Sequence, residues 1–167
     1  LSATDSTLSS DTLLTTLGFN PHTNSRYTDA MGAEVIVEGD RVIRVSPSGT
    51  VSYTSGGGAA LMVDTAGTIP ALSEAAVGAQ TLLDTLSSAG EARLYLLSAR
   101  QSGSETTLTF GYQLGGVPIR FSDGSAAAEV TLSGRSISTL ILQLRQYSTD
   151  GTTSLLLPLQ QAMAIAA

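Results

Sequence analysis

The feature that most limits the fold is a change of hydrophobic period near Gly90. Before it, Leu72, Ala75, Ala76, Ala79, Leu82, Leu83 and Leu86 recur at helical spacing and make one stripe of small and medium apolar side chains. After it the pattern has period two: Leu108, Phe110, Tyr112 and Leu114 stand opposite Thr107, Thr109 and Gln113, and Leu140, Leu142 and Leu144 stand opposite Thr139, Ile141 and Gln143. A helix with a flat apolar stripe followed by half-buried strands calls for a sheet beneath that helix. The spacing predicts a helix over about 69–88, with Thr68 as N-cap, Pro70 in the first turn, Glu74 favouring the early dipole and Gly90 as the stop.

The same succession is expected earlier in the chain. "TLSSDTLLTTL" spaces Leu8, Leu13, Leu14 and Leu17 loosely as a helix that Gly18 ends, and "GFNPHTNSRYTDAMG" reads as an irregular connection. Three short strands follow around Val35–Val37, Val42–Ile43 and Val51–Tyr53, joined by Gly-Asp and Pro-Ser-Gly turns. Further on, "ARLYLLSARQSGSETTLTFGYQLGG" reads as a hairpin, Val117, Ile119 and Phe121 as a short strand, and Val130 with Leu132 as another. The fold class expected is α+β: antiparallel β-meanders packed on helices, the helix-then-meander arrangement occurring twice. The chain divides into 1–60, an N-terminal helix with a three-stranded meander, and 61–167, a long helix with an antiparallel sheet and a C-terminal helix opening at Pro158. The two can share one domain. A start without Met and an uncapped end in "LLLPLQQAMAIAA" lead us to expect a piece of a longer chain.

Composition narrows the chemistry. All eight basic residues are arginine and the net charge is −6, so no basic run exists to neutralise a nucleic-acid backbone. Cysteine is absent, which removes disulfides, thiolate metal sites and a Cys nucleophile. Charged residues are 13% of the chain and Ser and Thr supply much of the polar surface, giving a weakly charged, hydroxyl-rich exterior.

No catalytic template fits. The glycine-rich "GYQLGGVPIRFSDG", residues 111–124, has strand signals on both sides and lacks the lysine of a phosphate loop or the spacing of a dinucleotide fingerprint. Its glycines turn strands. His22, the single histidine, sits in a polar loop, and no G-x-S-x-G elbow accompanies it. Asp40, Asp123 and Asp150 each adjoin glycine in turn-like settings, and no calcium loop or paired carboxylates are found. No catalytic, cofactor-binding or metal-binding residue is therefore expected. What remains is the sheet face away from the helix, where Tyr95 and Leu97 join Thr139, Ile141, Gln143, Arg145 and Tyr147. Tyr95, Ile141, Arg145 and Tyr147 are the candidate partner contacts, with packing inside the molecule as the competing role.

Several short features, in order, resemble the YycH/YycI-type regulatory proteins of Gram-positive bacteria. They are Leu17-Gly18-Phe19-Asn20, Arg26-Tyr27-Thr28, the turn Ser46-Pro47-Ser48-Gly49-Thr50-Val51-Ser52-Tyr53, the pattern F-x-Y-x-x-x-G-x-P-I from Phe110 to Ile119, and Leu156-Leu157-Pro158. The resemblance implies a non-enzymatic extracytoplasmic domain, anchored to the cell membrane through a segment outside this chain. It also implies a partner: a membrane sensor histidine kinase of a two-component system linked to cell-wall metabolism, or a related regulatory protein. The alternative, from the hydroxyl-rich surface, is a module binding a small ligand or cell-wall glycan.

Overall fold

Leu13, Leu14 and Leu17 begin the architecture, because they bury one side of α1 (Ser10–Thr16). Gly18 then takes φ 70°, with Phe19 N–H donating to Leu14 O at 2.8 Å and Gly18 N–H to Thr15 O at 3.0 Å. This is a Schellman ending, and it delivers Phe19 into the core. There its ring meets Tyr53 edge-on at 6.1 Å, with the Arg41 guanidinium over the ring 4.5 Å from its centroid. The structure is a computed structural model and describes residues 2–5, 10–22, 25–58, 60–65, 67–87 and 90–148.

Alternating residues build β3 (Glu34–Glu38), β4 (Arg41–Val45) and β5 (Thr50–Ser55), all antiparallel. The connection before them is not wholly irregular: β2 (Arg26–Thr28) pairs with β3. All three of its residues are exposed, so it carries no apolar alternation to betray it. Helix α2 covers Leu72–Leu86 and buries Ala75, Ala79, Leu83 and Leu86 against β6 (Arg93–Ser102) and β7 (Glu105–Leu114). It begins later than the sequence suggests. Ala71, not Thr68, is the N-cap, its N–H held by Glu74 Oε2 at 3.1 Å, and Pro70 lies just outside the helix.

The remaining strands are β8 (Val117–Ile119), β9 (Ala128–Ser133) and β10 (Ser136–Gln143). One sheet results, ordered β2-β3-β4-β5-β10-β9-β7-β6, with β8 also on β7 and every ladder in it antiparallel. The β5–β10 pairing joins the two halves of the chain edge to edge. A separate pair links β1 (Ser2–Asp5) to β11 (Arg145–Ser148). The proposed helix from Pro158 lies outside the described residues.

Register explains the core. Ile36, Ile43, Tyr53, Leu140, Val130 and Leu108 stand opposite one another across six strands, and all are fully buried. Facing residues of adjacent strands share a face, so this row is the floor on which the helices sit.

Candidate functional site

Moving one residue along each strand reaches the opposite face. A row there runs Val42, Thr54, Thr139, Thr131, Thr107, Arg100, and the next runs Arg44, Ser52, Ile141, Glu129, Thr109. Four consecutive threonines from four strands form a hydroxyl ladder at the ordinary interstrand spacing of about 4.8 Å. The face is hydroxyl-rich, as composition suggests, and Ile141 is its one exposed large apolar residue in the middle, at 44% exposure.

The four candidate contacts do not converge. Ile141 and Tyr95 both stand on this outer face, but β9 and β7 separate their strands, a distance of about 14 Å. Tyr147 is in the core at 4% exposure, its ring 5.3 Å from that of Tyr112. Arg145 reaches the other way, donating to Ser48 O across the tight Gly49 turn. The reason is a break in parity at Leu144. It leaves the ladder, donates its N–H to Gly49 O at 2.8 Å and buries its own side chain, after which the chain re-pairs with β1. Continuing the alternation of Leu140, Leu142 and Leu144 into 145–147 therefore assigns Tyr147 to the wrong side. Burial raises the Tyr147 phenol above its ordinary value, opposed by the charge of Arg145.

Around Tyr95 the outer face becomes concave. The second edge of β7 is paired by β9 as far as Phe110 and by β8 from Tyr112 onward, so Gly111 falls at the changeover. Tyr95 faces Gly111 across the β6–β7 ladder, and Leu97 is the extra residue of a bulge between Leu96 and Ser98. A Cβ on Gly111 would lie 3.1 Å from both Leu97 Cδ1 and Tyr95 Cε1. Glycine thus lets both side chains fold over the strand. They form one wall of a groove of about 310 Å³, whose other walls are Pro118, Ile119, Arg120 and Phe121 with the loop Gly124–Ala127. The loop is fixed by Asp123, which accepts the Ser125 N–H at 2.9 Å and its hydroxyl at 2.7 Å. Those two bonds, the N–H first, hold the Asp123 carboxyl below its ordinary range.

Among the described residues Arg120 is the only charged one lining this groove. In the first half of the chain Arg26 pairs with Glu34, Arg41 with Glu38 and Arg44 with Asp29. Arg120 and Arg93 make no ion pair among the described residues. Two wider hollows of about 550 Å³ flank α2, one lined by Asp64, Thr65, Ser73, Glu74 and Val77, the other including Asp84, Glu91 and Arg93. Mostly exposed residues line the first.

Of the residues weighed for catalytic templates, His22, Asp40 and Asp123 sit in turns, and Asp150 lies outside the described residues. His22 is exposed, its N–H donating to Asn20 Oδ1, and Asp40 accepts the Gly58 N–H at 2.6 Å. Among the described residues no cluster of three metal-ligating side chains occurs, and no helix is long and apolar enough to cross a membrane. Sequence reasoning placed Tyr95 and Leu97 on the outer face but missed Arg120 and Pro118 as their neighbours. The available signal was the consecutive bulky run Tyr95-Leu96-Leu97, which breaks period two opposite a glycine. No family model, curated protein or solved structure matches this chain.

Proposed function

We propose that this chain is a non-enzymatic interaction domain working outside the cytoplasm at a Gram-positive membrane, where it modulates a sensor histidine kinase of a two-component system tied to cell-wall metabolism. The helix-then-meander arrangement occurring twice belongs to the same reading, as do membrane attachment through a segment outside this chain and the family resemblance. The observation that carries the interaction role is the groove over Gly111. It sets two bulky side chains, Tyr95 and the 52%-exposed Leu97, beside an unpaired arginine on an otherwise hydroxyl-bearing sheet face. Aromatic and arginine side chains at a concavity are what protein interfaces favour.

The reading is tested with the sensor kinase from the same genome reconstituted in lipid vesicles. Autophosphorylation is measured with and without the purified domain tethered to the outer leaflet. A change in rate that follows the domain's concentration supports it, and an unchanged rate at saturating domain removes it. The second reading, a small-ligand or glycan module, is favoured by the same groove containing an aromatic ring. Calorimetric titration with cell-wall muropeptides distinguishes it, since a stoichiometric heat is expected only there.

A further inference from the structure

We infer that the groove over Gly111 is an anchor pocket for one large apolar or aromatic side chain of a partner protein, with a carboxylate next to that side chain held by Arg120. This rests on the interaction-domain reading and names the chemistry of the partner.

The size of the groove decides between a free ligand and a side chain. At about 310 Å³ it lies at the bottom of the range for small-molecule sites, which enclose most of their ligand. Leu97, Gly124 and Ser125 along its walls are exposed, so a free small molecule would keep much of its surface in water. A side chain carried on a polypeptide needs no such enclosure, because the partner's own backbone covers the opening.

Charge decides the second half. Arg120 lines the groove without an ion pair among the described residues, in a chain of net charge −6 where Arg26 of β2 and Arg41 and Arg44 of β4 are paired and Arg93, Arg100 and Arg135, like Arg120, are not. By the β7–β8 register it continues the row of Tyr95 and Gly111, placing it on the same face, and Arg93 stands one row away opposite Gln113. The nearby carboxylates do not take this role. Asp123 is engaged by Ser125, and Glu129 lies in the neighbouring row opposite Thr109 with no ion pair to Arg120. A guanidinium left open beside an apolar cleft suits a single carboxylate adjoining an apolar group. The overall negative charge disfavours a strongly acidic partner segment, so one carboxylate is the fit.

The test pans the intact domain against phage-displayed random linear peptides, then measures selected synthetic peptides by fluorescence polarisation. Enriched peptides are expected to carry Asp or Glu beside Phe, Tyr, Leu or Met. Their affinity should fall about tenfold in Arg120→Ala and Arg120→Gln. Both variants are expected to melt as the parent does, because Arg120 is exposed and unpaired. No enrichment, motifs without a carboxylate, or equal affinity for the Arg120 variants would each overturn the inference. So would N-acetylphenylalanine binding as tightly as the peptides, which would make the groove a small-carboxylate site. Normal peptide selection with a kinase indifferent to the domain would remove only the kinase reading. A kinase that responds equally to parent and Arg120→Ala would remove only the anchor.

Discussion

Tyr112 and Tyr147 meet edge to face with ring centroids 5.3 Å apart, and the Tyr112 hydroxyl donates to Gln143 O at 2.8 Å. The pair fastens β11 to β7 of the main sheet. Burial, then the charge of Tyr147, pushes the Tyr112 phenol far above its ordinary value. A phenol with a raised folded pKa binds its proton more tightly in the folded state. Its contribution is therefore complete below about pH 10 and is lost as pH rises above that value. Tyr112→Phe is expected to destabilise by about 1–2 kcal/mol at neutral pH by leaving the Gln143 carbonyl unpaired. The gap from the parent should narrow in alkaline denaturation curves, and a constant gap would refute the linkage.

Thr106 gives a prediction of opposite sign. It is fully buried, and its hydroxyl makes no hydrogen bond among the described residues. Replacing an unsatisfied buried hydroxyl by a methyl removes a desolvation cost, so Thr106→Val is expected to stabilise by about 1 kcal/mol in urea unfolding. A loss of stability would mean that the hydroxyl has a partner.

Two glycines separate backbone strain from crowding. Gly103, at φ 61°, turns β6 into β7 with open space around its missing Cβ. Gly90, at φ 68°, would place a Cβ 2.7 Å from Tyr147 O. Gly103→Ala should cost about 1 kcal/mol of left-handed strain. Gly90→Ala adds a collision with backbone that cannot rotate away, so it should cost at least about 2 kcal/mol more. Equal melting temperatures would exclude that collision.

Asp29 ties the β2–β3 turn to β4 through Arg44 Nε at 2.8 Å and the N–H groups of Met31 and Ala33. The Arg44 bond, followed by the two backbone donors, holds its carboxyl below the ordinary value of 3.8. With a depressed folded pKa, the stabilisation is present above the ordinary value and is lost as pH falls through the folded one. Asp29→Asn should therefore melt below the parent at neutral pH and converge with it in acid.

The strands were legible where one face is buried. Leu108, Phe110 and Tyr112, and Leu140 with Leu142, alternate because the helices cover one side, and their register follows from that parity. The start of α2 was misjudged because Thr68 and Pro70 carry the usual local signals while Ala71 does not, and Glu74 serves the cap from inside the helix. Strand β2 was invisible because none of its residues is buried. The groove was half legible. Tyr95 and Leu97 could be placed by parity, but Arg120 reaches them only through the exchange of β8 for β9 on one edge of β7, a tertiary event without a local signature.

The β5–β10 seam also bears on how fast the molecule assembles. Within the main sheet the other ladders join strands closer in sequence and can zip locally, whereas this one brings Thr50–Thr54 to Thr139–Gln143. Closing so long a loop costs entropy before any contact offsets it, so the seam is expected to be the late, rate-determining pairing. An error of one residue there would turn Leu140 and Leu142 outward and bring Ile141 in, which makes the seam the place where a kinetically trapped, misaligned molecule would form.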